Sequence, residues 1–400
     1  MNDGQHGPQA PSIAKSHLFA SEHVLAGRAI FPAAKIEGGH RRLDEGERKR
    51  YFASYYPADL VSTLVGHDRC ANSQGPTRAR DEEKPAASTI TKDLSSADTL
   101  KRHLYGAEGA YSLHIQDTIG ATFAGTECCA SVVQHEFVVD VDLKDYKERR
   151  DFFCGCGPGK SVCDRCWLLA EITAAICEAI VSNACGLGPM LCVASGGKGF
   201  HLWWGAPQAR RLSRRKRKAL LALLTLRTSE AKGVGEQALM DVWTKRGIVH
   251  RALLADINSP IAQYLAGAAG PSFAWPSEAA VAQLLPGARS QKRWAAYVAH
   301  VGRAQACNVV RLATWPEFDE DVTLGRGHLL KAPFSIHHST DKVALPLPSI
   351  RHCLPSQLPT VRAVMEGDAE AGLRFADGCA TLRAWLVACQ YGPQYDFYNV

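Results

Sequence analysis

The sequence predicts mixed α and β structure, of the α/β (α+β) class, and three observations point there. Period-two apolar patterns mark strands at 136–143, 190–194 and 200–204. Apolar residues at helical spacing mark helices at 212–226 and 277–305, so the middle of the chain reads as mainly helical. A composition of 46% apolar and 22% charged residues can bury a sizeable core and excludes disorder of the whole chain. Its 400 residues suit two or three domains at roughly 150 residues each. No internal repeat is visible.

Residues 1–40 carry Gly, Pro and Ser without periodicity and read as a loose lead-in. A helix is expected from about Asp44, with Tyr51, Tyr55 and Leu60 as apolar points around Pro57. The stretch 71–100 is polar, with almost no large apolar residue before Ile90, and reads as a loop or disordered insertion. Strand-like runs follow at 109–114 and 119–124, before the strong one at 136–143. The window 167–194 is apolar enough to raise the question of a membrane span of ~20 residues. Glu171 and Glu178 interrupt it on one helical face, and Gly186, Gly188 and Pro189 end it. A buried helix leading into a strand is expected, and no membrane. Short strands are expected at 333–337 and 342–346, and a last helix at 379–390.

Lys and Arg number 46 against 40 Asp and Glu, a net charge of +6 that mildly favours a polyanionic partner. The first thirty residues lack the apolar run of a secretory signal, so the 14 cysteines are expected to stay reduced. Four of them, Cys154, Cys156, Cys163 and Cys166, fall close together and end in C-x-x-C, a spacing that suits tetrahedral Zn²⁺. With four thiols no coordination position stays open, so the role would be structural. Disulfides or unrelated buried thiols are the alternative.

Asp140 and Asp142 alternate with Val139, Val141 and Leu143, which places both carboxylates on one face of a strand. Such a pair can hold Mg²⁺ or Mn²⁺ for in-line phosphoryl transfer; an acidic outer face is the plain alternative. The run Ser195-Gly196-Gly197-Lys198-Gly199-Phe200-His201 places three glycines where backbone amides can approach a phosphate, with Lys198 adding charge. It is not a P-loop, since a strand follows, and an ordinary hairpin turn would look similar. The acidic stretch 315–321 followed by Lys331 and His337 could combine a metal ligand with phosphate-binding groups, or be a solvated turn before a strand. Seven cations between Arg210 and Lys218 could meet a nucleic-acid backbone, act as a nuclear localisation signal, or merely begin a solvated helix.

The order of these motifs resembles the catalytic small subunit of archaeo-eukaryotic DNA primase, in its eukaryotic-like branch. The motifs are a D-x-D strand, a four-cysteine knuckle, an apolar helix, S-G-x-[KR]-G-x-H, then D-x-x-V-[ST] and H-L-L-K-[SA]-P-F-S-[IV]-H. The resemblance runs from about 109 to 347, and Arg48 to Leu60 looks like the family's N-terminal helix. It implies a mixed-sheet catalytic core at 41–205 and 309–400, with a zinc knuckle at 154–166 and a small helical subdomain inserted at 206–308. It also implies that Asp140, Asp142 and Asp319 bind the catalytic metals, with Asp321 competing for the third place. Ser195, Lys198, His201, Lys331 and His337 would hold the incoming triphosphate.

The implied activity is that of a DNA-directed RNA polymerase of the primase type, a nucleotidyltransferase making short RNA primers on single-stranded DNA. The implied cofactors are catalytic Mg²⁺ or Mn²⁺ and structural Zn²⁺. The implied partners are the template, nucleoside triphosphates, a large primase subunit and, as a further candidate, a replicative DNA polymerase. The setting would be the nucleus in a eukaryote, otherwise the cytoplasm or a viral replication compartment. A primase-polymerase for damage bypass or end repair, and a catalytically lapsed zinc-knuckle scaffold, are the competing readings. Two departures stand out: Lys198 replaces an Arg common in the family, and no Arg-Glu-Phe triplet occurs around 84–87.

Overall fold

A computed structural model describes residues 41–65, 69–74, 96–106, 112–120, 131–134, 136–156, 162–226, 229–244, 254–324, 330–350 and 353–391. The chain divides into Met1–Arg41 and Arg42–Val400, and every described helix and strand belongs to the second unit. The expected lead-in at 1–40 and the neighbourhood 84–87 lie outside the described residues.

The N-terminal part contains α1 (Glu45–Ser54), α2 (Ala58–Val65), β1 (Arg69–Gln74), α3 (Ala97–Gly106), β2 (Ser112–Gly120) and β3 (Ser131–Gln134). Helix α1 starts where expected, and Asp44 caps it, its side chain accepting from Glu47 N while Glu47 reaches back to the Asp44 amide. Two expectations fail here. The polar stretch from 71 contributes strand β1 and, from Ala97, helix α3. The described parts of the runs at 109–114 and 119–124 belong to the single strand β2, which continues between them and pairs on both sides; residues 109–111 and 121–124 lie outside the described residues.

The central part runs β4 (Phe137–Asp142), α4 (Lys147–Cys154), α5 (Trp167–Cys177), β5 (Met190–Ala194) and β6 (Gly199–Trp204). Helix α5 is buried on nearly every side and continues as a π-helical segment, Glu178–Ala184. Two thirds of this apolar stretch is buried inside the chain. Seven helices follow: α6 (Pro207–Arg210), α7 (Arg214–Leu224), α8 (Ser229–Thr244), α9 (Pro260–Ala269), α10 (Glu278–Val281), α11 (Pro286–Val301) and α12 (Arg303–Thr314). The expected single helix at 277–305 is therefore three: Pro286 starts α11 and Gly302, at φ 81°, ends it.

The last part holds α13 (Glu320–Leu324), β7 (Leu330–Lys331), β8 (Leu345–Leu347), α14 (Val361–Glu366) and α15 (Ala369–Ala388). Residues 333–337 form a turn rather than the expected strand, with Phe334 at φ 64° and only one isolated bridge, Ile336 to Val343. The last helix starts at Ala369, ten residues before the sequence signal at Cys379, because Asp368 caps it.

Two antiparallel sheets result. One has the order β1-β2-β3, with β7 also pairing β2; the other has the order β4-β6-β5-β8. Helix α5 packs under the second sheet, Trp167 meeting Phe200 edge to face at 5.9 Å and donating from Nε1 to Ile350 O. Helix α15 supports the same sheet, Trp385 Nε1 donating to Pro189 O at 3.0 Å. At the N-terminal end, the Tyr51 and Tyr56 hydroxyls donate to Phe334 O (2.8 Å) and Pro333 O (3.3 Å). The aromatic helix therefore grips the turn between Lys331 and His337.

Candidate active site

The site begins with strand β4. Val139, Val141 and Leu143 are fully buried, which turns Asp140 and Asp142 to the opposite, partly open face. Antiparallel pairing with β6 sets His201 directly opposite Asp140, and His201 Nε2 lies 3.5 Å from Asp140 Oδ1. Asp319 closes the site from a distant part of the chain: its amide donates to Asp140 O at 3.2 Å in an isolated bridge. Thr323 secures that loop by donating from Oγ1 to Val138 O at 2.9 Å. Asp319 thus reaches β4 through main-chain pairing, whereas the Asp321 side chain lies outside the described residues.

Burial, then the charges of Asp319 and Asp142, push the Asp140 carboxyl up to about 6. Asp142 turns aside to Lys144, which pairs with it at 2.8 Å while the Lys144 amide donates to Oδ1 at 2.9 Å. That ion pair raises the Lys144 ammonium above its ordinary value. Lys144 was not singled out from sequence, and its position two residues beyond the D-x-D pair was the available signal.

The Gly-rich turn joins β5 to β6. Ser195 Oγ accepts from Gly197 N at 3.3 Å, and Lys198 O accepts from Leu143 N at 3.1 Å, tying the turn to the end of β4. The Lys198 side chain is exposed. The turn packs against His337: Thr340 Oγ1 donates to Gly196 O at 2.7 Å, and the His337 ring sits where a Gly197 Cβ would lie. The Ser339 and Thr340 hydroxyls, both 3.2 Å from Nδ1, orient that ring.

Lys331 comes from the other sheet, where β7 pairs β2. Burial pulls its ammonium down to about 8, against the charge of Asp140. Burial and then Lys331 drive His201 and His337 each down to about 3. Both imidazoles are therefore neutral at pH 7, and Lys331 is the charge they share. His201 Nδ1 is buried and has no hydrogen-bond partner among the described residues. A substitution at His201 would therefore also alter the surroundings of the Asp140 carboxylate, because the ring abuts it.

Apart from this face, the thiols of Cys154, Cys156, Cys163 and Cys166 all lie within 4.8 Å of one another. Zn–S bonds of about 2.3 Å in a tetrahedron place sulfurs about 3.8 Å apart, so the donor set fits zinc. The Cys163 thiolate is favoured because Cys154 and Cys166 hydrogen-bond to it. Among the described residues this is the one His, Cys, Asp and Glu group so tightly drawn together; the Asp140, Asp142 and Asp319 carboxylates sit more loosely.

Comparison with known proteins bears on the same stretch. The family model for the DNA primase small subunit matches residues 139–348, which hold the D-x-D strand, the Gly-rich turn, Asp319, Lys331 and His337. A DNA primase small subunit of Drosophila melanogaster is 26% identical over 269 residues, covering 58% of this chain and 60% of its own. One from Schizosaccharomyces pombe is 22% identical, covering 58% of this chain and 57% of its own. The chain thus spans less than two thirds of the length of these relatives. A solved polymerase domain of Mycobacterium tuberculosis ligase D in complex with DNA aligns over 84% of this chain and 93% of its own, at 14% identity and a TM-score of 0.36, too loosely to support an argument. With half of its residues, including those of this site, matched by the family model, the chain belongs to the DNA primase small subunit family.

Proposed function

We propose that the chain is a DNA primase catalytic subunit that makes short RNA primers on single-stranded DNA by template-directed nucleotidyl transfer. The observation that carries this reading is the convergence of Asp140, His201, Asp319 and Lys331 from two sheets and a distant loop. Asp140, Asp142 and Asp319 would hold Mg²⁺ or Mn²⁺. They are hard oxygen donors, and the raised Asp140 pKa marks a site short of positive charge. When bound, such ions lower the cost of deprotonating a ribose 3′-hydroxyl and neutralise departing pyrophosphate.

The chain's own residues do the rest. Strand β4 orients the carboxylates and β6 holds His201 beside Asp140. Ser195, Lys198, His201, Lys331 and His337 would bind the triphosphate. The neutral imidazoles supply N–H donors, and the lysines supply charge. The 3′-oxygen attacks the α-phosphate in line, the bond to the bridging oxygen breaks, and pyrophosphate leaves. Zinc on the four cysteines would lock the knuckle between α4 and α5. The helical stretch 206–308 is proposed as an insertion into the core formed by 41–205 and 309–400. A larger primase subunit and a replicative DNA polymerase are proposed partners. The nucleus is the proposed setting, the named relatives being eukaryotic.

The test is primer synthesis on a single-stranded template with Mg²⁺ or Mn²⁺, comparing ribo- and deoxynucleoside triphosphates. Ribonucleotide-dependent primers are expected. A strong deoxynucleotide preference would make the chain a bypass or end-repair polymerase. No synthesis by folded, zinc-loaded protein would make it a lapsed scaffold.

A further inference from the structure

The cationic run at 210–218 takes no part in the chemistry above, and the structure divides it. Two of its members are internal struts. Buried Arg210 donates to Gly205 O and Cys389 O and lies 4.3 Å over the Tyr391 ring. Buried Arg217 donates to Glu136 O at 2.8 Å and Leu212 O at 3.1 Å, pinning α7 to the start of β4. The other five, Arg211, Arg214, Arg215, Lys216 and Lys218, are exposed and form no ion pair with any described residue.

Three of the five occupy the first turn of α7, which contains no acidic residue. That turn is the positive end of the helix macrodipole, so the cations are repelled by the helix and by one another. No described acidic side chain forms an ion pair with these five cations, and an external anion would offset the repulsion. The spread of the patch favours a linear polyanion over a single phosphate, since Arg214 to Lys218 rise about 6 Å along α7 at 1.5 Å per residue and Arg211 lies outside the helix. Its place in the fold links it to the site. Arg217 fixes α7 at Glu136, and the chain then runs along β4 to Asp142, about 20 Å away at strand rise. Helix α13, which follows Asp319, packs against α7.

We propose that Arg211, Arg214, Arg215, Lys216 and Lys218 form a contact for the phosphate backbone of a single-stranded DNA template, one strand length from the catalytic carboxylates. The proposal rests on the primase reading above and adds a binding surface to it. The experiment titrates full-length protein with a fluorescently labelled oligothymidylate at several salt concentrations, reading anisotropy. The Arg214→Gln/Arg215→Gln variant is compared with a control pair of exposed cations elsewhere, Arg303→Gln/Arg383→Gln. Each lost phosphate contact lowers the salt slope by about 0.7 on a single strand, so about 1.4 for the pair. That corresponds to about 25-fold weaker binding at about 0.1 M salt, with triphosphate affinity and the rate at saturating template unchanged.

An unchanged slope in the α7 variant, or an equal fall in the control pair, overturns the contact. So does wild-type DNA affinity combined with loss of nuclear accumulation, which would make the run a transport address. Failure of the primase reading would look different, as wild-type protein that neither synthesises primers nor binds the oligonucleotide.

Discussion

Gly197→Ala is the most discriminating substitution in the proposed triphosphate pocket. Gly197 does not have a positive φ, so alanine meets no backbone penalty there. The added Cβ would lie 2.4 Å from His337 Nε2 and 3.0 Å from its Cδ2 and Cε1, all atoms of one movable ring. Ordinary contact between such atoms is about 3.5 Å, so the ring must retreat by about 1 Å. A hydrogen bond from Nε2 to a phosphate does not survive that shift. Loss of one bond to a charged acceptor costs about 1.5–3 kcal/mol, or roughly 10- to 150-fold in nucleotide-addition efficiency. Stability should change by less than about 1 kcal/mol, because the reduced freedom of the unfolded chain offsets the ring's displacement.

Gly196→Ala is the contrasting case: at φ +82°, with Lys342 O 3.0 Å from the new Cβ, it should cost about 1–3 kcal/mol of stability. The assay is triphosphate affinity and single-turnover addition for Gly197→Ala, His337→Ala and the double variant, with melting curves alongside. The double variant should match His337→Ala alone. Wild-type triphosphate affinity in Gly197→Ala, or additive losses in the double variant, would refute the proposed role of the turn.

Other outcomes follow from the same geometry. Asp140→Asn should abolish nucleotide addition while raising metal-free thermal stability at pH 7. The wild-type carboxyl, pushed up to about 6, contributes stability present below pH 3.8 and lost as pH rises through 6; the variant should flatten that dependence in melting curves. Lys331, pulled down to about 8 by burial, should lose its charge in mildly alkaline solution. Triphosphate affinity should then fall as pH rises through 8 and become flat in Lys331→Arg; a wild-type affinity constant up to pH 10 would refute the assignment. Cys163→Ser should lower bound zinc, measured by elemental analysis, together with the melting temperature, since zinc binding and local folding are coupled. A zinc-free wild-type protein would remove the knuckle from the account.

Local physics made part of this molecule legible in one dimension. The β4 alternation depends only on the pleat, so the buried Val139 and Val141 and the opposed Asp140 and Asp142 could be read directly. The start of a helix near Asp44 is equally local, whereas the break at Pro286 was not read from the periodicity of 277–305. Four cysteines within thirteen residues need little more than glycine turns to meet. The remaining features depend on partners distant in sequence. Strand β1 carries almost no apolar signal and exists through its pairing with β2. Only the tertiary structure decides that Arg217 is a strut and Arg214 a surface charge, because helical phase against the core separates them, not composition. The same holds for the charge states: His201 and Lys331 are ordinary titrating residues in sequence, and burial between the two sheets makes one neutral and the other a weakened base. Asp319 acquires its place through a backbone bond to a residue 179 positions earlier, and periodicity cannot anticipate a pairing that chain topology creates.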